Sequence, residues 1–190
     1  VNSSSEEKRL AVNGMSYHDR NGENANSALI VSITPKDYKT SHPLGGLEFQ
    51  RLLESAAYKL GNGKVPIQLY KDFCKNVKSE QLGKVRPQIK GGYVLSNLRE
   101  IFPDFISQSL MEGIKVFGTK MKGFDREAAI LSGIESRTSS PVMILRNEAF
   151  ENEIKGIYPC GEGAGYAGGI TSAAMDGIKM AEAIAKRYAP

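Results

Sequence analysis

The residues best placed to do chemistry lie near the C-terminus. Five of the nine residues 161–169 are glycine, interrupted by one acid, Glu162. Gly168, Gly169 and Ile170 then lead into a helical pattern. A glycine-rich turn running into a helix can bind anions. The first N–H groups of the helix have no internal acceptor, the helix dipole adds partial positive charge, and glycines let a ligand approach the backbone. Glu162, following Gly161 at the end of an expected strand, is placed to accept hydrogen bonds from hydroxyls such as those of a sugar or ribityl chain. A tight turn without a ligand has the same composition, and spacing alone leaves both readings open. The run Gly161 to Gly165 lacks the spacing of a first dinucleotide fingerprint, so a complete dinucleotide site is not expected here.

Other candidates are weaker. Arg137, Thr138, Ser139 and Ser140 precede Pro141 and read either as a polar turn or as a ligand contact. His18 and His42 each lack a visible partner and read as loop residues. Cys74 and Cys160 are far apart in sequence, and Cys160 reads as a small buried residue. Two cysteines and two histidines give no metal set, and no catalytic acid or base stands out. The polar loop 19–26 reads as a network of Asx turns or as a contact surface.

The elements that must position these residues follow from hydrophobic period. Residues 10–17 and 28–34 are short apolar runs around Asn21-Gly22, which reads as a hairpin. Leu47, Leu52, Ala56 and Leu60 recur at helical spacing over 44–60, and Gly61-Asn62-Gly63 ends that helix. Short helices are expected over 67–77 and 95–102, the latter capped by Ser96 or Asn97. Pro103 opens a longer helix over 104–117. Segments 128–136, 142–146 and 156–160 read as strands. Residues 170–188 form the strongest helix, with Ile170, Ala174, Gly177, Ile178, Ala181, Ile184, Ala185 and Tyr188 in one stripe. The expected architecture is α+β, a small, mainly antiparallel sheet with packed helices.

Composition sets limits. The 190 residues are 41% hydrophobic and carry a net charge of +4, with 25 basic residues scattered among 21 acidic ones. A nucleic-acid binder would cluster them, so no nucleic-acid partner is expected. No apolar run is long enough for a membrane helix and no leader pattern opens the chain, so a cytoplasmic location is expected. The chain starts at Val1 in what reads as mid-loop, which points to a processing boundary and to a function that depends on residues upstream.

Three motifs carry a family resemblance. The first is the run from Tyr158 to Ile170 followed by Ser172-Ala173-Ala174 and Asp176-Gly177. The second is Asn13 to Tyr17 with Asp19 to Ala28, and the third is Gly123-Phe124-Asp125 with Arg137 to Val142. Together they resemble the C-terminal portion of bacterial FAD-dependent dehydrogenases, flavoproteins often labelled NAD-utilizing. The resemblance implies an FAD-dependent oxidoreductase, with NAD(P)H as electron donor and a small-molecule substrate. It also implies a pyrophosphate-binding N-terminal half absent from this chain. It divides the chain into a linker or edge of the FAD domain (1–12), an inserted substrate-side domain (13–133) and the last strand, turn and helix of a Rossmann-like FAD domain (134–190). By the same resemblance Gly161 belongs to the flavin site and Glu162 reaches the ribityl or pyrophosphate region. Backbone groups of Gly168, Gly169 and Ile170 sit at the flavin pyrimidine edge. Arg137, Thr138, Ser139 and Ser140 lie near the flavin or the substrate cavity. The fragment alone is expected to be inactive and to expose an apolar patch that drives homodimerisation. A different class of function, a non-catalytic binding module that keeps a flavoprotein-like fold, fits the same residues.

Overall fold

The computed structural model describes residues 2–3, 6–38 and 40–189. Its contacts divide the chain into two units, Val1–Ile33 with Arg51–Ser136, and Thr34–Gln50 with Arg137–Pro190. The result is a small α+β fold whose main sheet is mixed rather than antiparallel.

The first unit is built around one strand, β3 (Val65–Leu69), with all five residues buried. It pairs in parallel with β4 (Tyr93–Leu95) and antiparallel with β5 (Ile130–Ser132), in the order β4-β3-β5. A proline inside a central strand is unusual because it cannot donate to the ladder. Here Pro66 lies one residue beyond the last pair with β5, where its carbonyl still accepts from Gly133 N (3.1 Å). The missing N–H therefore falls at the end of that ladder. Ile67, Leu69, Phe73, Leu98, Ile101, Ile106 and Ile114 form the core, joined by Leu53 and Ala57. Ile67 and Leu69 belong to β3 itself; the others come from α1 (Gly45–Gly61), α2 (Tyr70–Lys75), the 3-10 turn Leu98–Glu100 with Ile101 just after it, and α3 (Asp104–Lys120).

Gln68 is fully buried in this core and its amide is satisfied. Nε2 donates to Val77 O (2.7 Å) and to Asn97 Oδ1 (3.2 Å), and Oε1 accepts from Leu98 N (2.8 Å). Beside it, buried Ser79 accepts from Leu69 N (2.9 Å) and donates to Asp72 (2.6 Å). One amide thus ties the central strand to two segments that follow it in sequence.

Several expected elements differ. The run 10–17 contributes only β2 (Val12–Asn13), which pairs with β1 (Asn2–Ser3) and not with 28–34. Leu10 N and Val12 N are committed to Glu54 O (3.0 Å) and Ile134 O (2.8 Å), so no hairpin forms. Around Asn21-Gly22 it is Arg20 that takes the left-handed conformation, at φ 53. The expected helix over 67–77 is strand to Leu69 and helix only from Tyr70, because β3 is hydrogen-bonded on both edges. The expected helix over 95–102 shrinks to the 3-10 turn, with Asn97 accepting from Arg99 N (3.3 Å) as its cap. Inside α1, away from its terminal glycines, the buried residues are Leu53, Glu54 and Ala57, one step round from the expected Leu52 and Ala56.

In the second unit the segments 142–146 and 156–160 are loops, not strands. Their polar backbone groups close locally: Ile144 N on Ala164 O (3.1 Å), Leu145 O on Asn152 Nδ2 (2.6 Å), Asn152 N on Ile157 O (2.9 Å). The long helix, α4 (Ile170–Tyr188), forms where the periodicity places it. Among the described residues no helix is long and apolar enough to cross a membrane.

The Gln68 amide provides a test of the first unit. Gln68→Ala leaves the N–H of buried Leu98 without its acceptor and removes the donor to Val77 O, and should cost about 2–3 kcal/mol. Urea unfolding followed by circular dichroism measures this. A change below about 0.5 kcal/mol would mean that the network does not hold the sheet to its flanks.

Candidate cofactor site

All the candidate site residues fall in the second unit. The turn before α4 needs glycine at two of its positions. Gly161 has φ 70 and Gly165 φ 85, a left-handed conformation that costs other residues energy. A Cβ on Gly165 would also stand 2.7 Å from Val142 O. Gly165 N donates to Glu162 O (2.9 Å) and Tyr166 N to Gly161 O (3.0 Å), closing the turn.

The turn delivers the chain to Gly169, the N-cap of α4, in extended conformation. Among the described residues no side chain from outside the helix caps this end. Within it, Ser172 Oγ accepts from Gly169 N (3.2 Å) and donates to Gly169 O (3.0 Å). From Ile170 onward the first N–H groups have no intrahelical acceptor. Gly168, Gly169 and Ile170 are exposed, and Ile170 is 93% exposed. Glu162 is exposed too, and its carboxylate makes no hydrogen bond or ion pair among the described residues.

The second candidate segment arrives at the same place. A Cβ on Gly168 would lie 3.5 Å from Ser139 Oγ, so 137–140 runs beside the entrance to α4. The Ser140 hydroxyl lies 2.8 Å from Val142 O and 3.2 Å from Gly163 O, its one hydrogen shared between them, which brings that segment against the glycine turn. Arg137, Thr138 and Ser139 are exposed. Two stretches separated by about thirty residues thus meet at one exposed, uncapped helix start. An electron-rich planar group could lie against it, with bare backbone N–H groups and hydroxyls in reach. These residues suit one edge of a flavin. Among the described residues no group of acids, histidines and cysteines could hold a metal. Cys160 is exposed rather than buried, because the loop around it contributes little apolar cover.

What holds the turn to the helix was not apparent from the sequence. Arg146 and Asp176 form a two-pronged ion pair, Nη1 to Oδ2 at 2.9 Å and Nη2 to Oδ1 at 2.7 Å, with side chains 10% and 13% exposed. Arg146 Nη1 also donates to Pro159 O (2.8 Å), and Asp176 Oδ2 accepts from Gly161 N (2.8 Å). The guanidinium lies 3.6 Å from the centroid of the Tyr166 ring and 4.8 Å from that of Phe150. The Arg146 hydrogen bonds, then the Gly161 N–H, draw the Asp176 pKa down to about 2. A second clamp holds the far end of α4. Arg187 pairs with Glu151, whose carboxylate also accepts from Gly156 N (2.8 Å), and Arg187 donates to Tyr158 OH (3.1 Å). The signal available in sequence was Asp176 itself. It lies on the packed face of α4 between Ala173 and Met180, where a charge requires a partner.

Comparison with known proteins gives two matches. A family described as FAD-dependent protein, C-terminal domain-like, matches residues 1–138. That range includes Arg137 and Thr138 and ends before the glycine turn. A protein of Clostridium beijerinckii, named only as uncharacterized, is 53% identical over 191 residues, 99% of this chain and 36% of its own length. The chain therefore spans little more than a third of the relative it matches.

The Arg146–Asp176 pair predicts an acid sensitivity. Asp176 has its pKa lowered from 3.8 to about 2 on folding, so its contribution is complete above pH 3.8 and disappears as pH falls through about 2. That contribution is about 2 kcal/mol. Asp176→Asn should lack this part of the acid transition and should already be less stable at neutral pH. Circular dichroism during acid titration compares the two. Coincident curves would mean that the pair does not anchor α4.

Proposed function

Because the chain belongs to the family of C-terminal domains of FAD-dependent proteins, we propose that it is the C-terminal portion of an FAD-dependent oxidoreductase of the dehydrogenase type. In this reading it supplies the substrate-side domain and one edge of the flavin site. The observation that carries it is the meeting of residues 137–140 with the uncapped start of α4 at Gly168.

The roles in this reading are those the family resemblance implies. Backbone groups of Gly168, Gly169 and Ile170 would lie at the pyrimidine edge of the ring, with the Ile170 N–H and the positive end of the α4 dipole favouring negative charge there while Gly169 N stays on Ser172 Oγ. Ser139 and Thr138 offer hydroxyls beside Gly168. Glu162 is available to accept from ribityl hydroxyls, and Arg137 belongs to the same rim. Arg146 and Asp176 hold the turn against the helix, so that the backbone donors stay aimed without rearrangement. Bound FAD would supply the hydride-transfer chemistry, with NAD(P)H as electron donor in the same proposal. The pyrophosphate would be held by residues of the longer protein that lie outside this chain.

Gly168 is the position to test. In the longer protein, Gly168→Val places a branched side chain against Ser139 and blocks approach to the backbone. Flavin retained after gel filtration should fall at least about tenfold, with the far-ultraviolet spectrum unchanged. The unaltered longer protein should purify yellow, and the 190-residue chain should bind FAD weakly or not at all. A Gly168→Val protein that keeps its full complement of flavin would overturn this placement.

A further inference from the structure

Asn13, Asn21 and Asn62 are each followed by glycine. Such a pair can react with itself. The backbone nitrogen of the glycine attacks Cγ of the asparagine side chain, and a five-membered cyclic imide closes. Glycine is the best partner because no Cβ shields its nitrogen. The reaction asks three things of the structure. The glycine N–H must be held by no acceptor, the amide side chain must be able to turn onto it, and the backbone between them must be free to rotate about ψ. All three asparagines are exposed, so exposure does not distinguish them.

Hydrogen bonding does distinguish them. Gly63 N donates to Tyr58 O (3.0 Å) and Asn62 N to Lys59 O (3.3 Å), closing α1. Asn62 and Gly63 are thereby fixed in left-handed conformations, at φ 47 and φ 78. Asn13 is the last residue of β2 and stands opposite Asn2 of β1, where ψ is held near its extended value. Asn26, tied through Nδ2 to Met15 O (3.2 Å), crowds the same step, since a Cβ on Gly14 would lie 3.0 Å from its Oδ1. Asn21 and Gly22 lie outside any helix or strand. Among the described residues neither the Asn21 side chain nor Gly22 N makes a hydrogen bond. The nearest anchors stand on either side: Arg20 N donates to Tyr17 O (3.0 Å) and Asn24 Nδ2 to Arg86 O (2.7 Å). They hold the ends of a short span and leave its middle free to turn.

We propose that Asn21 is a site of spontaneous covalent modification, converted through an imide with Gly22 to isoaspartate, and that folding confines this reaction to one of the three Asn-Gly steps. A bond forms between Gly22 N and Asn21 Cγ, and the bond from Cγ to the side-chain nitrogen breaks. That nitrogen leaves as ammonia and carries the Gly22 amide proton with it. Water then opens the imide. Opening at the main-chain carbonyl of residue 21 reroutes the backbone through Cγ and lengthens it by one methylene; opening at Cγ gives ordinary aspartate. Either product has a carboxylate where a neutral amide stood, so the net charge of +4 falls by one. The new charge appears between Asp19 and Glu23, in a loop that is already acidic at both positions. The reaction consumes only water, and the proposal is independent of the flavoprotein reading.

Peptide mapping tests this site by site. Trypsin, which cuts after lysine and arginine, places the three steps on separate peptides, 10–20, 21–36 and 60–64. The 190-residue chain is incubated at mildly alkaline pH, folded and in urea. Conversion of each peptide is followed by mass spectrometry with an isoaspartate-selective assay. In urea the three should convert at rates within about threefold of one another, because no fold restrains them. In the folded chain, 21–36 should keep its rate to within about threefold, while 10–20 and 60–64 slow about tenfold or more, since each must first open locally. Asn21→Ser, which has no amide to lose, should leave 21–36 unconverted although Asn24 and Asn26 lie on the same peptide. Conversion that persists in Asn21→Ser would overturn the assignment. So would slowing of 21–36 about tenfold on folding, or conversion of 10–20 or 60–64 as fast in the folded chain as in urea.

Discussion

The second unit depends on the pairing of Arg146 with Asp176. Between residues 137 and 190 the buried apolar side chains are Ala164 and Met180. So little area cannot hold a 19-residue helix to its loops by hydrophobic burial. Directed bonds do it instead. The pair joins α4 to Pro159 and Gly161, and two rings cover the guanidinium. Partly burying two charges is costly, but here each has further hydrogen bonds beyond the pair itself. The Glu151–Arg187 clamp repeats the arrangement at the other end of the helix.

The first unit is held differently. Its strand β3 is buried along its whole length and packs against α2 and the 3-10 turn, and its buried amide is satisfied at both ends. One unit has a conventional core and the other a charged brace with an apolar helix face left open. That contrast bears on the proposed flavin edge. A glycine turn and a helix start can be aimed by local bonds alone.

The aim matters more than the inventory of groups. The donors at the start of α4 are backbone N–H groups, which cannot move independently of the turn. Glycines at 161 and 165 permit the turn's conformation, and Asp176 grips Gly161 directly. Ser140 links the neighbouring segment to Gly163. The exposed face of the turn is therefore as well fixed as the brace beneath it.

By itself the sequence determined the elements whose hydrogen bonds are local. Helices α1, α3 and α4 lie close to where their periodicity puts them, Asn97 caps the turn it precedes, and Asn62 and Gly63 take the left-handed conformations that end α1. It also determined the glycine turn and the motifs of an FAD-dependent family. Tertiary structure decided what depends on distant partners. Whether Val65–Leu69 is strand or helix depends on β4 and β5, which lie tens of residues away. The apolar run 28–34 failed to become a strand because its expected partner had already bonded to Glu54 and Ile134. Arg146 and Asp176, thirty residues apart, carry no shared signal in the sequence. A helix closes its bonds within four residues, so its pattern is written along the chain. A ladder or an ion pair exists only once the chain has folded back on itself.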